Sequence, residues 1–70
     1  MRGNGAAIQS LRLQAGLTKA EMARATGIDP THLHRIENGE RKGTPAQLVT
    51  IAKFFRVPLA DVAVLPEQVA

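Results

Sequence analysis

Between residues 18 and 47 the chain carries three helix-start signals in close succession. Their spacing leaves room only for short helices joined by tight turns. Thr18-Lys19-Ala20-Glu21 has the form of a capping box, in which the Thr18 hydroxyl accepts from the Glu21 N–H and the Glu21 carboxylate accepts from the Thr18 N–H. Asp29-Pro30 offers an N-cap followed by proline at the first helical position, where a missing N–H costs nothing. Thr44-Pro45-Ala46-Gln47 combines both devices. Leu17 with Met22, and Ile28 with Leu33, bracket the first two starts as hydrophobic staples. Gly16, Gly27 and Gly39 stand where the preceding helices must stop.

The stripes between these signals complete the pattern. A first helix is expected from about Ala6 to Ala15, burying Ile8, Leu11 and Ala15. The second carries Ala20, Met22 and Ala23, the third Leu33 and Ile36, and the fourth Leu48, Ile51, Ala52 and Phe55. Val57-Pro58 breaks the fourth, and Leu59 to about Leu65 reads as a short fifth helix stopped by Pro66. The expectation is an all-α, compact five-helix domain over residues 6–66, with a flexible N-terminus at 1–5 and a tail at 67–70.

Composition agrees and excludes several classes. Eleven Ala and only two aromatics, both Phe, favour helix over sheet. There is no cysteine to staple so small a domain, and two His without a thiolate argue against structural zinc. No metal or cofactor is expected, and no nucleophile–base arrangement or phosphate loop suggests an enzyme. No apolar run approaches the ~20 residues of a membrane span, and the N-terminus lacks a signal-peptide core, so a cytoplasmic protein is expected. The net charge is +3; all nine basic residues lie in residues 1–56, while 57–70 contain Asp61 and Glu67 as their only charged groups. A basic body points to an anionic partner.

Lys19, Ala23, Gly27, Leu33 and Ile36 fall at relative positions 1, 5, 9, 15 and 18. A small residue at 23 lets two helices cross closely, glycine at 27 permits the turn, and Leu33 and Ile36 lock the second helix to the core. This is the spacing of a helix-turn-helix, whose second helix enters the major groove. Residues 8–65, through Leu11-Arg12, Gly16-Leu17-Thr18, Ala23, Gly27-Ile28, Leu33 and Arg35-Ile36-Glu37-Asn38-Gly39, resemble the DNA-binding domain of the phage repressor and Cro family, the xenobiotic-response-element type. The resemblance implies a transcriptional regulator, most often a repressor. It also implies a homodimer on palindromic double-stranded DNA, of bacterial or phage origin and nucleoid-associated when bound.

The reading face follows from helical geometry alone. At ~100° per residue, Asp29, Leu33, Ile36 and Glu37 share one side of the third helix, and Thr31, Arg35 and Asn38 lie opposite. Arg35 is the foremost base-reading candidate, since a guanidinium can pair with guanine O6 and N7 together; otherwise it is an ordinary solvated arginine. Thr31 suits a thymine methyl or a phosphate, and Pro30 stands where the family often has a polar base-contacting residue. His32 and His34 are either solvated or DNA contacts, His34 beside Arg35 toward a base and His32 toward the backbone. They lie too far apart around the helix to chelate one metal. A histidine contact would tighten binding as pH falls toward about 6, where imidazole gains charge.

Flanking groups serve the phosphates. Thr44 with its helix-start amides offers an anion site. The resemblance adds Lys19, at a position where the family often contacts the backbone through Gln, and sets Asn38, Arg41 and Lys42 against the sugar-phosphate. It also pairs Arg12 with Glu37 in a partly buried salt bridge; both fall on the buried side of their helices, the alternative being two surface charges. Phe54, Leu59, Val62, Val64 and Leu65 form either a dimer surface or the closure of the core. No room for a small-molecule effector domain is apparent, so the chain is a stand-alone regulator or the N-terminal domain of a larger one. The competing function on the same fold is an antitoxin- or antirepressor-type protein-interaction module.

Overall fold

Asn4 opens the first helix, its side-chain oxygen accepting from the Ala7 N–H at 3.2 Å. Asparagine is among the preferred N-cap residues, and the cap displaces the helix start one residue ahead of the expected Ala6. The computed structural model describes residues 1–66, so the expected tail at 67–70 lies outside the described residues. Four α-helices follow in order: α1 (Gly5–Gln14), α2 (Lys19–Thr26), α3 (Pro30–Glu37) and α4 (Pro45–Phe55). Both capping boxes form with both hydrogen bonds, and Asp29 caps α3 by accepting from the His32 N–H at 3.1 Å.

The core is built from all four helices. Ile8, Met22, Leu33, Ile36, Leu48, Ile51 and Val62 are its largest fully buried side chains. Ala23 is buried at the close approach of α2, whereas Ala15 and Ala20 are exposed, Ala15 because α1 has already ended and capped there. Asp29 is likewise exposed, as the cap rather than part of the buried stripe. No helix among the described residues is long and apolar enough to cross a membrane.

The fifth helix expected over Leu59–Leu65 is absent. Leu59–Asp61 is a single 3-10 turn, and Ala63–Val64 is a short strand, β2. Pro58 starts the turn without a side-chain cap, and Val62-Ala63-Val64 is short and β-branched, so an extended exit competes with helix. The strand's partner is β1 (Arg2–Gly3), antiparallel, with Arg2 opposite Val64 and Gly3 opposite Ala63. The segment 1–5, expected to be loose, is therefore anchored. Gly3 N–H donates to Lys42 O at 2.7 Å and Asn4 N–H to Val62 O at 2.8 Å. Glycine is required at the next contact: a Cβ on Gly5 would lie 2.3 Å from Glu37 O and 2.6 Å from Ile36 O. Val62 is 0% exposed, which removes it from the expected dimer surface and assigns it to the core; Leu59, Val64 and Leu65 are half-buried.

One ionic group sits inside this packing. Arg12 Nε lies 3.0 Å from Glu37 Oε2 and 3.3 Å from Oε1, Nη2 lies 3.2 Å from Oε1, and Nη1 donates to Leu17 O at 2.9 Å. The two side chains are 7% and 1% exposed. The pair ties the end of α1, the loop into α2 and the last turn of α3 together.

Two stability predictions follow from these contacts. Arg12→Ala strands the buried Glu37 carboxylate and should cost about 3–5 kcal/mol in urea unfolding, whereas Arg12→Met with Glu37→Leu should recover most of that loss. An unchanged midpoint for Arg12→Ala would remove the pair's structural role. Gly5→Ala introduces a better helix former but forces α1 off α3, and should destabilise by about 1–3 kcal/mol. A higher melting temperature for that variant would contradict the close approach.

Candidate nucleic-acid interface

The motif formed by α2 and α3 turns on Gly27. Its φ of 73° closes α2 in the left-handed region, with its N–H donating to Ala23 O. Glycine takes that conformation without the Cβ penalty that other residues carry. Ile28 is buried and Asp29 starts α3 at once, so three residues separate the helices. α3 turns Leu33, Ile36 and Glu37 into the core and leaves Pro30, Thr31, His34, Arg35 and Asn38 exposed. Thr31 and Arg35 are one turn apart on that open side.

Three of the proposed contact residues are already joined. Lys19 Nζ on the first turn of α2 is 2.7 Å from His34 Nδ1, and Asn38 Nδ2 is 3.0 Å from His34 Nε2. Lys19 is half-buried, in contrast to the exposed Arg41 and Lys42. His32 is half-buried on a different flank, where it lines an open groove with Glu40, Arg41, Lys42 and Thr44. The loop carrying Arg41 and Lys42 is tied at both ends: Arg35 O accepts from the Glu40 and Arg41 N–H groups, and Lys42 O accepts from Gly3.

The start of α4 is a narrower anion site than its sequence suggests. The Thr44 N–H donates to Gln47 Oε1 and the Gln47 N–H to Thr44 Oγ1, while Pro45 has no N–H. Among the described residues this leaves the Ala46 amide as the uncommitted donor of that first turn. Arg2 is the addition that sequence reasoning missed. Its strand pairing brings it to a second groove with Arg41 and Lys42, where Glu40 is the only acid among the described residues. Two-residue strands leave no periodic signal, so only the glycines around Asn4, marking close backbone approach, hinted at this arrangement.

The carboxylates of the motif are all turned inward or into caps. Glu37 is held by Arg12, Asp29 by the His32 amide, and Glu21 by Thr18. The Glu21 carboxyl is held below its ordinary range, first by the Thr18 backbone N–H and then by the Thr18 hydroxyl, against an opposing effect of burial, with the charge of Arg24 contributing least.

Comparisons with known proteins agree with this architecture. The helix-turn-helix family model matches residues 8–62. No curated protein is a significant match in sequence. The restriction-modification controller protein C.AhdI from Aeromonas hydrophila superposes with a TM-score of 0.76 at 21% identity, over 81% of this chain and 86% of that one. A transcriptional regulator from Vibrio cholerae superposes with a TM-score of 0.73 at 30% identity, over 81% of this chain. The present chain spans about a third of that protein's length, 32%.

The capping box at Lys19's helix gives a pH prediction. A carboxyl whose folded value is depressed adds stability above its unfolded value, and that stability is lost as pH falls through the folded value. Glu21→Gln keeps an acceptor for the Thr18 N–H but cannot titrate. The variant should therefore melt below wild type at about pH 7 and approach it at about pH 3. A difference in melting temperature that is constant across that range would contradict the assignment.

Proposed function

The chain belongs to the Cro/C1-type helix-turn-helix family, whose fold is that of DNA-binding transcription regulators, and from that premise we propose that it is a sequence-specific repressor reading the major groove with α3. The observation that carries this reading is the exposed face of Thr31 and Arg35 in a motif whose own three carboxylates, Glu21, Asp29 and Glu37, are each engaged within the protein. Arg35 reads guanine through a bidentate pair, with Thr31 and Pro30 beside it in contact with base edges. Lys19, Asn38, Arg41, Lys42 and the Thr44 helix start take the phosphates, and His32 and Arg2 extend that flank along the grooves they line. These contacts position the domain; Arg35 confers preference.

One domain covers one half-site, and two-fold symmetry is the economical way to gain affinity. The protein binds a palindromic operator as a homodimer, with half-sites about one DNA turn apart. Phe54 anchors the dimer surface together with Leu59, Val64 and Leu65. Supporting this, the Phe54 ring is 37% exposed and packs edge-on against Phe55 at 5.0 Å, a rigid apolar group held at the surface.

Selection of bound sites from a random duplex library tests the whole reading. The expected result is an enriched two-fold symmetric motif. Arg35→Ala should relax one base position in each half-site, at a cost of about 1–3 kcal/mol for that base. Arg2→Ala and Arg41→Ala should weaken all sequences alike and lower the log–log salt slope by about 0.9 each. A chain that enriches no motif and binds duplex without salt dependence is not a DNA-binding regulator.

A further inference from the structure

The contact between Lys19 and His34 has a definite polarity. An ammonium can only donate, so the Nδ1 atom 2.7 Å from Lys19 Nζ accepts and carries no proton. In a neutral imidazole the proton then sits on Nε2, which must donate. The Asn38 amide faces that nitrogen at 3.0 Å, and the network is satisfied when the amide turns its oxygen toward the ring. The chain therefore runs from the Lys19 ammonium through the ring to the Asn38 oxygen, bridging the two helices of the motif. Both ring nitrogens are used within the protein.

The surroundings do not offer another purpose for this chain. Among the described residues no carboxylate lies within hydrogen-bonding distance of the ring. Of the charged groups on the helices packed against α3, Arg12 is held by Glu37, Glu21 is held in its cap, and Arg24 sits in the last turn of α2. His34 is exposed, so its hydrogen bonds contribute little to folding. They do restrain a long, flexible ammonium that otherwise loses its rotamer freedom only on binding.

Resting on the DNA-binding reading above, we propose that His34 is a positioning residue rather than a base contact. It holds the Lys19 ammonium and the Asn38 amide in place before DNA arrives, so that α2 and α3 present their phosphate contacts as one preset unit. The base edges are then left to Arg35 and Thr31.

The test is a mutant cycle read by fluorescence anisotropy on a labelled short duplex of random sequence, titrated with salt. Lys19→Ala should lower the log–log salt slope by about 0.9, whereas His34→Ala should weaken binding several-fold at every salt concentration and keep the slope, because the Lys19 charge still reaches its phosphate. The double variant should lose less than the product of the two single losses, keeping only the part of the His34 effect that acts through Asn38. His34→Asn, whose amide oxygen can stand in for Nδ1, should recover most of the affinity lost in His34→Ala. An unchanged affinity in His34→Ala, or losses that multiply in the double variant, would overturn the role. A wild-type chain that does not bind the duplex at all removes both the DNA reading and this role, whereas binding with multiplied losses removes this role alone. Independently of DNA, long-range proton–nitrogen correlation in the free protein at about pH 8 should find the His34 proton on Nε2; a proton on Nδ1 rules out the chain.

Discussion

The buried ion pair between Arg12 and Glu37 is the contact on which the arrangement of the motif depends. Its guanidinium reaches three separate elements: it belongs to α1, grips the last turn of α3 through both Glu37 oxygens, and satisfies Leu17 O just before α2 begins. Bringing two charges out of water is costly, and an apolar pair of similar volume would often serve stability as well. What an apolar pair cannot supply is direction. Three donors aimed at two acceptor groups fix the rotation of α3 about its own axis, and that rotation decides which side chains face outward.

The same pair also settles an electrostatic problem. An unpaired acid on a surface that meets phosphates opposes the field of the cations around it. The motif contains three carboxylates, and each has a partner within the protein: Glu37 in the ion pair, Asp29 at the start of α3, Glu21 in the capping box of α2. Two of these partnerships are helix caps, which favour negative charge at helix starts in any case. The modest net charge of +3 thus understates the character of the α3 face.

Legibility in the sequence follows the range of each interaction. Thr18 with Glu21, Thr44 with Gln47, Asp29-Pro30 and Gly27 act within three or four residues, and each operates as its local pattern requires. The stripes of α3 and α4 are readable for the same reason, and that of α2 in Met22 and Ala23 but not in the exposed Ala20. The C-terminal segment is not readable, because Leu59–Leu65 has helical length and apolar content but no cap to start it, and its structure is decided by a partner strand some sixty residues away. Asn4 and Arg2 are illegible likewise, one as a cap ahead of a helix expected to begin at Ala6, the other because only the distant pairing gives it neighbours. Among the site residues, the sequence puts His34 on a flank of α3 beside Arg35 and its i, i+4 spacing allows contact with Asn38, but nothing in the sequence reveals that Lys19 on α2 joins them.

That distant pairing has a mechanical consequence. Gly3 and Asn4 are hydrogen-bonded to Lys42 O and Val62 O, and Gly5 rests on the carbonyl oxygens at the end of α3. The N-terminal strand is therefore a strap joining three regions: the basic loop, the last turn of α3 and the C-terminal segment. A two-strand ladder alone is marginal in water, so the strap is held by these backbone contacts and by the absence of side chains at Gly3 and Gly5. If two copies meet through Phe54 and the C-terminal segment, the loop carrying Arg41 and Lys42 moves with that segment as one body. The separation of the two reading helices is then set by rigid contacts rather than by a flexible tail, and a palindrome of one spacing is favoured over its neighbours because adjusting the spacing would require breaking the strap.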